Sequence, residues 1–325
     1  MYYDESGRRI DDIEVLNRIK ALVIPPAWQQ VWICPWPTGH LQAVGIDARG
    51  RRQYRYHDQW RARRDAEKFD RMAQFARALP GMRARCSELL AQDGLTKERV
   101  LACIVRLLDL GFFRIGGEEY AEQNGSYGLA TLCKEHVKLG PGSAVTFDYP
   151  AKSGKRRVQT IVDEPVFAVV AALKRRRSGG PELFAYRAGP GWVDVRSSDI
   201  NDFVRELSGG QFSAKDFRTW AGTVLAAVAL AVAERARTDT ARRRAISRAY
   251  QEVAHYLGNT PAVCRKSYVD PRVVDRYQAG VTIAEALNRI EEDPSSTAAL
   301  AIHGAIEEAV LALLEDASET TVEAA

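Results

Sequence analysis

The segment from Ser213 to Ala233 constrains the fold more than any other part of this chain of 325 residues. Ser213-x-x-Asp216 is a capping box, in which the acidic side chain reaches back to the first residue's N–H and opens a helix. The helix then runs on through Ala233 with apolar residues on nearly every side, which predicts the buried centre of a domain. Its longest apolar run, from Ala221 to Ala233, falls short of the roughly 20 residues that span a bilayer. Arg218 sits on this otherwise apolar helix. A buried guanidinium is costly unless it is paired, so Arg218 needs a chemical reason to be there.

Around that helix the pattern reads as an α+β protein. Apolar residues at 13, 16 and 19 predict a helix over Asp11–Ala21. After Pro25-Pro26, short strands are expected at Val31–Cys34, Leu41–Ile46 and Arg52–His57, with Asp47-Ala48-Arg49-Gly50 as a turn. Helical character resumes from Trp60 to Leu79, and Pro80-Gly81 is expected to interrupt it. The seam between two domains is placed near residue 66: a small β-rich domain over 1–66 and a mainly helical domain over 67–325. In the second domain, Thr96 caps a helix that Gly111 ends. Leu129–Leu132, His136–Leu139, Val145–Tyr149 and Arg156–Val162 predict a small antiparallel sheet. Asp239–Leu257 is an amphipathic helix stopped by Gly258, and Thr260-Pro261 starts another. An alanine-rich helix is expected over 295–316.

The net charge of +4 conceals an asymmetry. Residues 290–325 hold nine acidic residues and no Lys or Arg, leaving 46 basic against 33 acidic residues in 1–289. A basic body with an acidic tail suits a polyanionic ligand. The five cysteines (34, 86, 103, 133, 264) are scattered without a C-x-x-C pair, so no disulfide framework or zinc site is expected. With no visible secretion leader or membrane span, the expected location is a reducing cytoplasm.

Four short motifs carry the chemistry: F-F-R-I-G-G-E-E-Y (112–120), Y-P-A-K-S-G-K (149–155), A-K-D-F-R-T-W-A-G (214–222) and L-G-N-T-P-A-V-C-R-K-S-Y (257–268). A hydroxyl attacking a phosphodiester builds a pentacoordinate state with extra negative charge on the non-bridging oxygens. Fixed cations aimed at those oxygens stabilise it. Arginine grips phosphate at two points and stays charged. A lysine beside other cations can protonate the departing oxygen. Tyrosine is a workable nucleophile because phenoxide is also a fair leaving group, so the step reverses. Taken singly, each of these residues has a plainer reading: Arg114 as a surface charge, Lys152 as a solvated hairpin tip, Tyr268 as a half-buried aromatic.

In this order and at these spacings the motifs resemble the type IB DNA topoisomerases of the compact poxvirus and bacterial kind, over about Ile24 to Tyr268. The resemblance implies an N-terminal β-rich DNA-binding domain and a mainly helical catalytic domain of the kind shared with tyrosine recombinases. The two would close around duplex DNA as a C-shaped clamp. It places the nucleophile at Tyr268, the phosphate-gripping arginines at Arg114 and Arg218, and the general acid at Lys152, with Lys155 as a rival for that role. The family usually carries a histidine before T-P, where this chain has Asn259. An amide can donate a hydrogen bond to a phosphate oxygen but cannot serve as a proton donor, so Asn259 is read as an oxyanion contact. The resemblance also favours DNA contacts for Gln53, Tyr54 and Tyr56 on one strand, for Tyr120 and Asn124 after Arg114, and for Lys215. Lys215 lies at a helix N-terminus, where the dipole favours phosphate. Neither ATP nor a divalent metal is implied, and the partner is duplex DNA, bound by a monomer that is nucleoid-associated. The alternatives are a tyrosine recombinase, which usually has a histidine where this chain has Lys215, and a non-catalytic DNA-binding protein of the same fold.

Overall fold

The computed structural model describes residues 1–233, 236, 238–292 and 299–322, and forms two compact units, Met1–Asp70 and Arg71–Ala325. In the first unit, helix α1 (Ile13–Ala21) is capped by Asp12, whose carboxylate accepts from the N–H groups of Glu14 and Val15. A three-stranded antiparallel sheet follows, β1 (Gln29–Ile33), β2 (Leu41–Ile46) and β3 (Arg52–Tyr56), paired in that order. The β2–β3 turn closes on Asp47, which accepts from the N–H groups of Arg49 and Arg51 at 2.9 and 3.0 Å.

Helix α2 (Asp58–Leu90) runs through Pro80 without a break. The expected interruption at Pro80-Gly81 is therefore absent. Proline costs a helix interior about 3 kcal/mol. The apolar stripe continues past it, however, and Leu79, Met82 and Leu89 are buried, each contributing roughly 1.5–3 kcal/mol. Pro80 itself is on the exposed side.

The second unit continues with α3 (Lys97–Gly111) and α4 (Glu118–Asn124), then an antiparallel sheet of β4 (Val137–Leu139), β5 (Ala144–Pro150) and β6 (Arg156–Val162). Next come α5 (Glu164–Arg175), the hairpin β7 (Ala185–Ala188) and β8 (Gly191–Asp194), and α6 (Ser197–Ser208). The chain ends with α7 (Ala214–Val232), α8 (Asp239–Leu257), α9 (Pro261–Ser267), α10 (Pro271–Gln278), α11 (Ala284–Glu292) and α12 (Ala299–Val322). Leu129–Thr131 is a 3-10 turn and not the expected strand. Gly111 stays helical and Phe112 takes the left-handed cap conformation at φ 51°. The glycine is needed instead for packing, since a Cβ there would lie 2.2 Å from the Phe113 ring.

Helix α7 is the centre of this unit and packs on α3, α6, α8, α10, α11 and α12. Its capping box forms, with Asp216 accepting from the Ser213 N–H at 2.8 Å. Part of the acidic tail also has a packed structure: Val310, Leu313 and Leu314 of α12 are buried. Glu307 accepts from Trp220 Nε1 at 3.0 Å and from Arg83 at 2.6 and 2.9 Å. Arg83 turns its remaining N–H groups on Asp109 of α3 at 2.8 and 2.9 Å. The tail's residues 293–298 and 323–325 lie outside the described residues. Arg83 thus joins α2, α3, α7 and α12 through side chains that are at most 16% exposed. Replacing it (Arg83→Ala) would strand two carboxylates, and the expected loss of unfolding free energy is about 3–5 kcal/mol in a urea titration. A loss under about 1 kcal/mol would place the network with weak surface pairs.

Candidate active site

Two helix ends hold the cations. Arg218, near the start of α7 and 3% exposed, donates from Nη1 to the carbonyl of Phe112 and from Nη2 to that of Leu257 at 2.7 Å. Arg114, just past α3, donates from Nη2 to the carbonyl of Gly258 at 3.1 Å and to Asn259 Oδ1 at 2.7 Å. Phe112 caps α3, while Leu257 and Gly258 end α8. The last carbonyls of a helix lack intrahelical partners and carry the negative end of its dipole. They can therefore satisfy a guanidinium's donors without neutralising its charge. Among the described residues, no ion pair to a carboxylate forms at either arginine.

Local sequence explains the placement. Left-handed Phe112 turns its carbonyl toward Arg218. The loop from Arg114 is strapped to residues 128–130, with Leu129 N donating to Arg114 O at 3.0 Å and Ala130 N to Ile115 O at 2.7 Å. Gly116 and Gly128 make this possible, because a Cβ on Gly128 would lie 2.4 Å from the Gly116 nitrogen. Gly258, at φ +59°, closes α8 and lets Asn259 N donate to Ala254 O at 3.0 Å. Asn259 then faces Arg114 with its oxygen, and its buried Nδ2 has no partner.

Tyr268 follows α9 directly. Its ring packs against the cluster of Ala226, Val253, Ala254, Leu257, Cys264 and Val269. Thr223 Oγ1 donates to the Tyr268 carbonyl at 3.3 Å, and a Cβ on Gly222 would come within 2.9 Å of that same oxygen. Gly222 and Thr223 thus seat the tyrosine on the helix that carries Arg218. Neither residue is marked for this role by its neighbours in sequence, because Thr223 lies 45 positions from its partner. The Arg218 Cζ is 5.4 Å from the Tyr268 ring centroid. Burial alone would raise the phenol, but the charge and close contact of Arg218, then Arg114 and Lys215, outweigh it and hold Tyr268 below its ordinary value. Burial, then Arg114, pulls the Arg218 guanidinium down from its usual range.

A cavity of about 340 Å³ is lined by Arg114, Lys152, Arg218 and Tyr268 together with Tyr120 and Lys215. Lys152 reaches it from the exposed turn between β5 and β6, where Ser153 and Gly154 have φ of 65° and 69°. Lys155 lines a neighbouring cleft and not this cavity. Asn124 is exposed at the end of α4, with Nδ2 on the Tyr120 carbonyl at 3.2 Å, and is not in the lining. In the N-terminal unit, Tyr54 is 48% exposed and stacks at 6.3 Å on Tyr56. Gln53 is occupied by Asp47 Oδ2 at 2.9 Å. Among the described residues, no group of three or more His, Cys, Asp or Glu side chains is placed to hold a metal, and no helix is long and apolar enough to cross a membrane.

Residues 57–295 match the family of eukaryotic DNA topoisomerase I catalytic cores, and residues 1–47 match the N-terminal domain of bacterial DNA topoisomerase IB. The DNA topoisomerase 1B of Acanthamoeba polyphaga mimivirus is 32% identical over 291 residues, 85% of this chain and 84% of that one. The chain belongs to the type IB DNA topoisomerases. A more distant relative, the DNA topoisomerase 1 of Candidozyma auris, is 28% identical over 158 residues. That match covers 48% of this chain and 20% of the fungal one. The topoisomerase is thus an isomerase that breaks and rejoins DNA. Its cavity brings together a phenol held below its ordinary value and two arginines that meet no carboxylate among the described residues, while Asn259 is not in the lining and adjoins it through Arg114.

A cleavage step that used this phenol as nucleophile would take its pH dependence from the Tyr268 environment. With the phenol held below its ordinary value of 10, single-turnover cleavage should rise with pH and level off below pH 10. In Arg218→Gln the raising effect of burial is no longer outweighed by the largest lowering cause. The inflection should then move upward and the plateau fall about 10²–10³-fold. A rapid-quench pH–rate profile of both proteins checks this, and an inflection that does not move would dissociate Arg218 from the phenol's acidity.

Proposed function

We propose that Tyr268 opens one strand of duplex DNA by attacking a backbone phosphorus, forming a 3′-phosphotyrosyl bond and releasing a 5′-hydroxyl. The observation that carries this reading is the half-buried, acidified phenol sharing one cavity with Arg114, Lys152 and Arg218. Among the described residues no carboxylate or imidazole lines the cavity, and the phenol's proton is assigned to water. Arg114 and Arg218 neutralise the charge that grows on the non-bridging oxygens. The unpartnered Nδ2 of Asn259 donates to one of those oxygens, a role that an amide fills without titrating. Lys152 protonates the departing 5′ oxygen. The location of Lys155 in a separate cleft supports Lys152 over its rival.

The freed strand then swivels about the intact one under torsional strain, and the 5′-hydroxyl attacks the phosphotyrosine to reseal it. Bond energy is conserved throughout, so the cycle runs without ATP, and the arginines do the charge work without a divalent metal. The polarity of the covalent link and the closing of both units around the duplex as a clamp are taken from the family. Tyr120, Asn124 and Lys215 contact the cleaved strand, while Gln53, Tyr54 and Tyr56 contact the duplex from the N-terminal sheet. The free thiols support a reducing location, the cytoplasm at the nucleoid, where the protein works as a monomer.

Relaxation of a negatively supercoiled plasmid in EDTA without ATP is the direct test. The wild type is expected to relax a plasmid that carries no special site, and Tyr268→Phe to lose at least about 10³-fold of that rate. Equal relaxation by the two proteins would end the assignment of Tyr268. Asn259→Ala should slow single-turnover cleavage by about 10-fold or more and leave the shape of its pH profile intact. Unchanged cleavage would remove Asn259 from the site.

A further inference from the structure

Beside the catalytic cavity lies a second cleft of about 450 Å³. The two share Arg114 and Lys152, and the second adds Lys155, Arg156, Arg157, His255 and Tyr256, with no Asp or Glu of the described residues in its lining. Adjacent residues of β6 are treated in opposite ways. Arg156 is exposed and forks onto Asp148 with two bonds of 2.7 Å, so its charge is spent. Arg157 is half-buried and donates only to neutral oxygens: Gln159 Oε1 at 2.9 and 3.1 Å, Tyr256 O at 3.1 Å and Gly111 O at 3.4 Å. Gly111 ends α3 and Tyr256 lies in the last turn of α8. Arg157 is therefore held by the same two helix ends that hold Arg218, one of which, the end of α8, also holds Arg114. A Cβ on Gly258 would lie 3.2 Å from Arg157 Nη1 and 3.7 Å from Arg114 Nη1, so both guanidiniums border the space over that glycine. Burial lowers the Arg157 guanidinium; Tyr149 offsets part of this, and Arg114 adds to it.

A half-buried cation beside another cation is unfavourable unless an anion completes the site. On a protein whose substrate is a phosphodiester polymer, the anion that arrives with the scissile group is the next phosphate along the strand. We propose that Arg157, with Lys155, binds a phosphodiester directly flanking the scissile one on the cleaved strand. The cleft is then a second phosphate seat that sets the register of the strand in the catalytic cavity. This rests on the reading of Tyr268 as the nucleophile. Arg157 touches the substrate but no reacting atom.

The test first maps the cleavage position by trapping the covalent adduct of the wild type on a duplex. Affinities are then measured in a Tyr268→Phe background, on duplexes with a single uncharged methylphosphonate at either flanking position. At one of the two positions the methylphosphonate should weaken binding roughly ten-fold, the size of one charge-assisted contact. Arg157→Gln should lose a similar factor on unmodified DNA and nothing further on that modified duplex. Losses that multiply at both positions, or an Arg157→Gln affinity equal to that of its parent, would overturn the proposal. Because Arg157 also ties α3 to α8, the exposed Lys155→Gln serves as a second probe. It should couple to the same methylphosphonate and lower the slope of log K against log salt by about 0.9, and an unchanged slope counts against the seat. Failure of the wild type to form any adduct would remove the parent reading, whereas an adduct with uncoupled losses would remove only this one.

Discussion

Arg218 gives its fork to backbone carbonyls at the ends of two helices, and the function of the cavity depends on that choice of partner. Carbonyls satisfy N–H donors while leaving the net charge in place. A carboxylate would satisfy the same donors and cancel the charge. The protein uses both arrangements. Arg83 is sandwiched by Asp109 and Glu307, and Arg106 bonds Asp163 at 3.0 and 3.1 Å. These arginines join helices. Among the described residues Arg114 and Arg218 meet no carboxylate, and their charge holds the phenol beside them below its ordinary value. Whether an arginine is a brace or part of a site is decided here by what its fork touches.

Helix α7 brings these parts together. Arg218 comes from its second turn, and Gly222 and Thr223 one turn later receive the backbone of Tyr268. Trp220 meanwhile points the other way, to Glu307 of α12. Cation, nucleophile seat and structural brace thus follow each other along one buried rod. A rigid element of this kind holds a reacting group more closely than a loop does. Lys152 has the opposite character: it stands on an exposed turn with left-handed residues after it. A general acid that must reach a leaving group and withdraw again is compatible with that placement.

Much of this was legible in the amino-acid order. The capping box at Ser213–Asp216, the apolar stretch behind it and the lone Arg218 within it announced a buried helix with a chemical purpose. Strand alternation from Arg52 and the glycine stop at 258 also read correctly, because both depend on neighbours in the chain. The misreadings share one cause. Pro80 reads as a break, yet packing of Leu79, Met82 and Leu89 outweighs it. Gly111 reads as a cap, yet its lack of a side chain serves the Phe113 ring. The acidic C-terminal segment reads as a tail, yet Glu307 belongs to a buried ion network. In each case the deciding partner is remote in sequence or comes from tertiary packing.

By itself, the order of residues determined which side chains could do phosphoryl chemistry and which segments were helix or strand, because capping, periodicity and turn formation act over a few residues. Only the folded chain decided that Arg157 shares the helix ends used by Arg218, that Gly222 makes room for Tyr268, and that the amide nitrogen of Asn259 is left without a partner among the described residues. The physical reason is that charge compensation and close approach depend on distance through space, and residues 46 to 145 positions apart become neighbours only when the core closes.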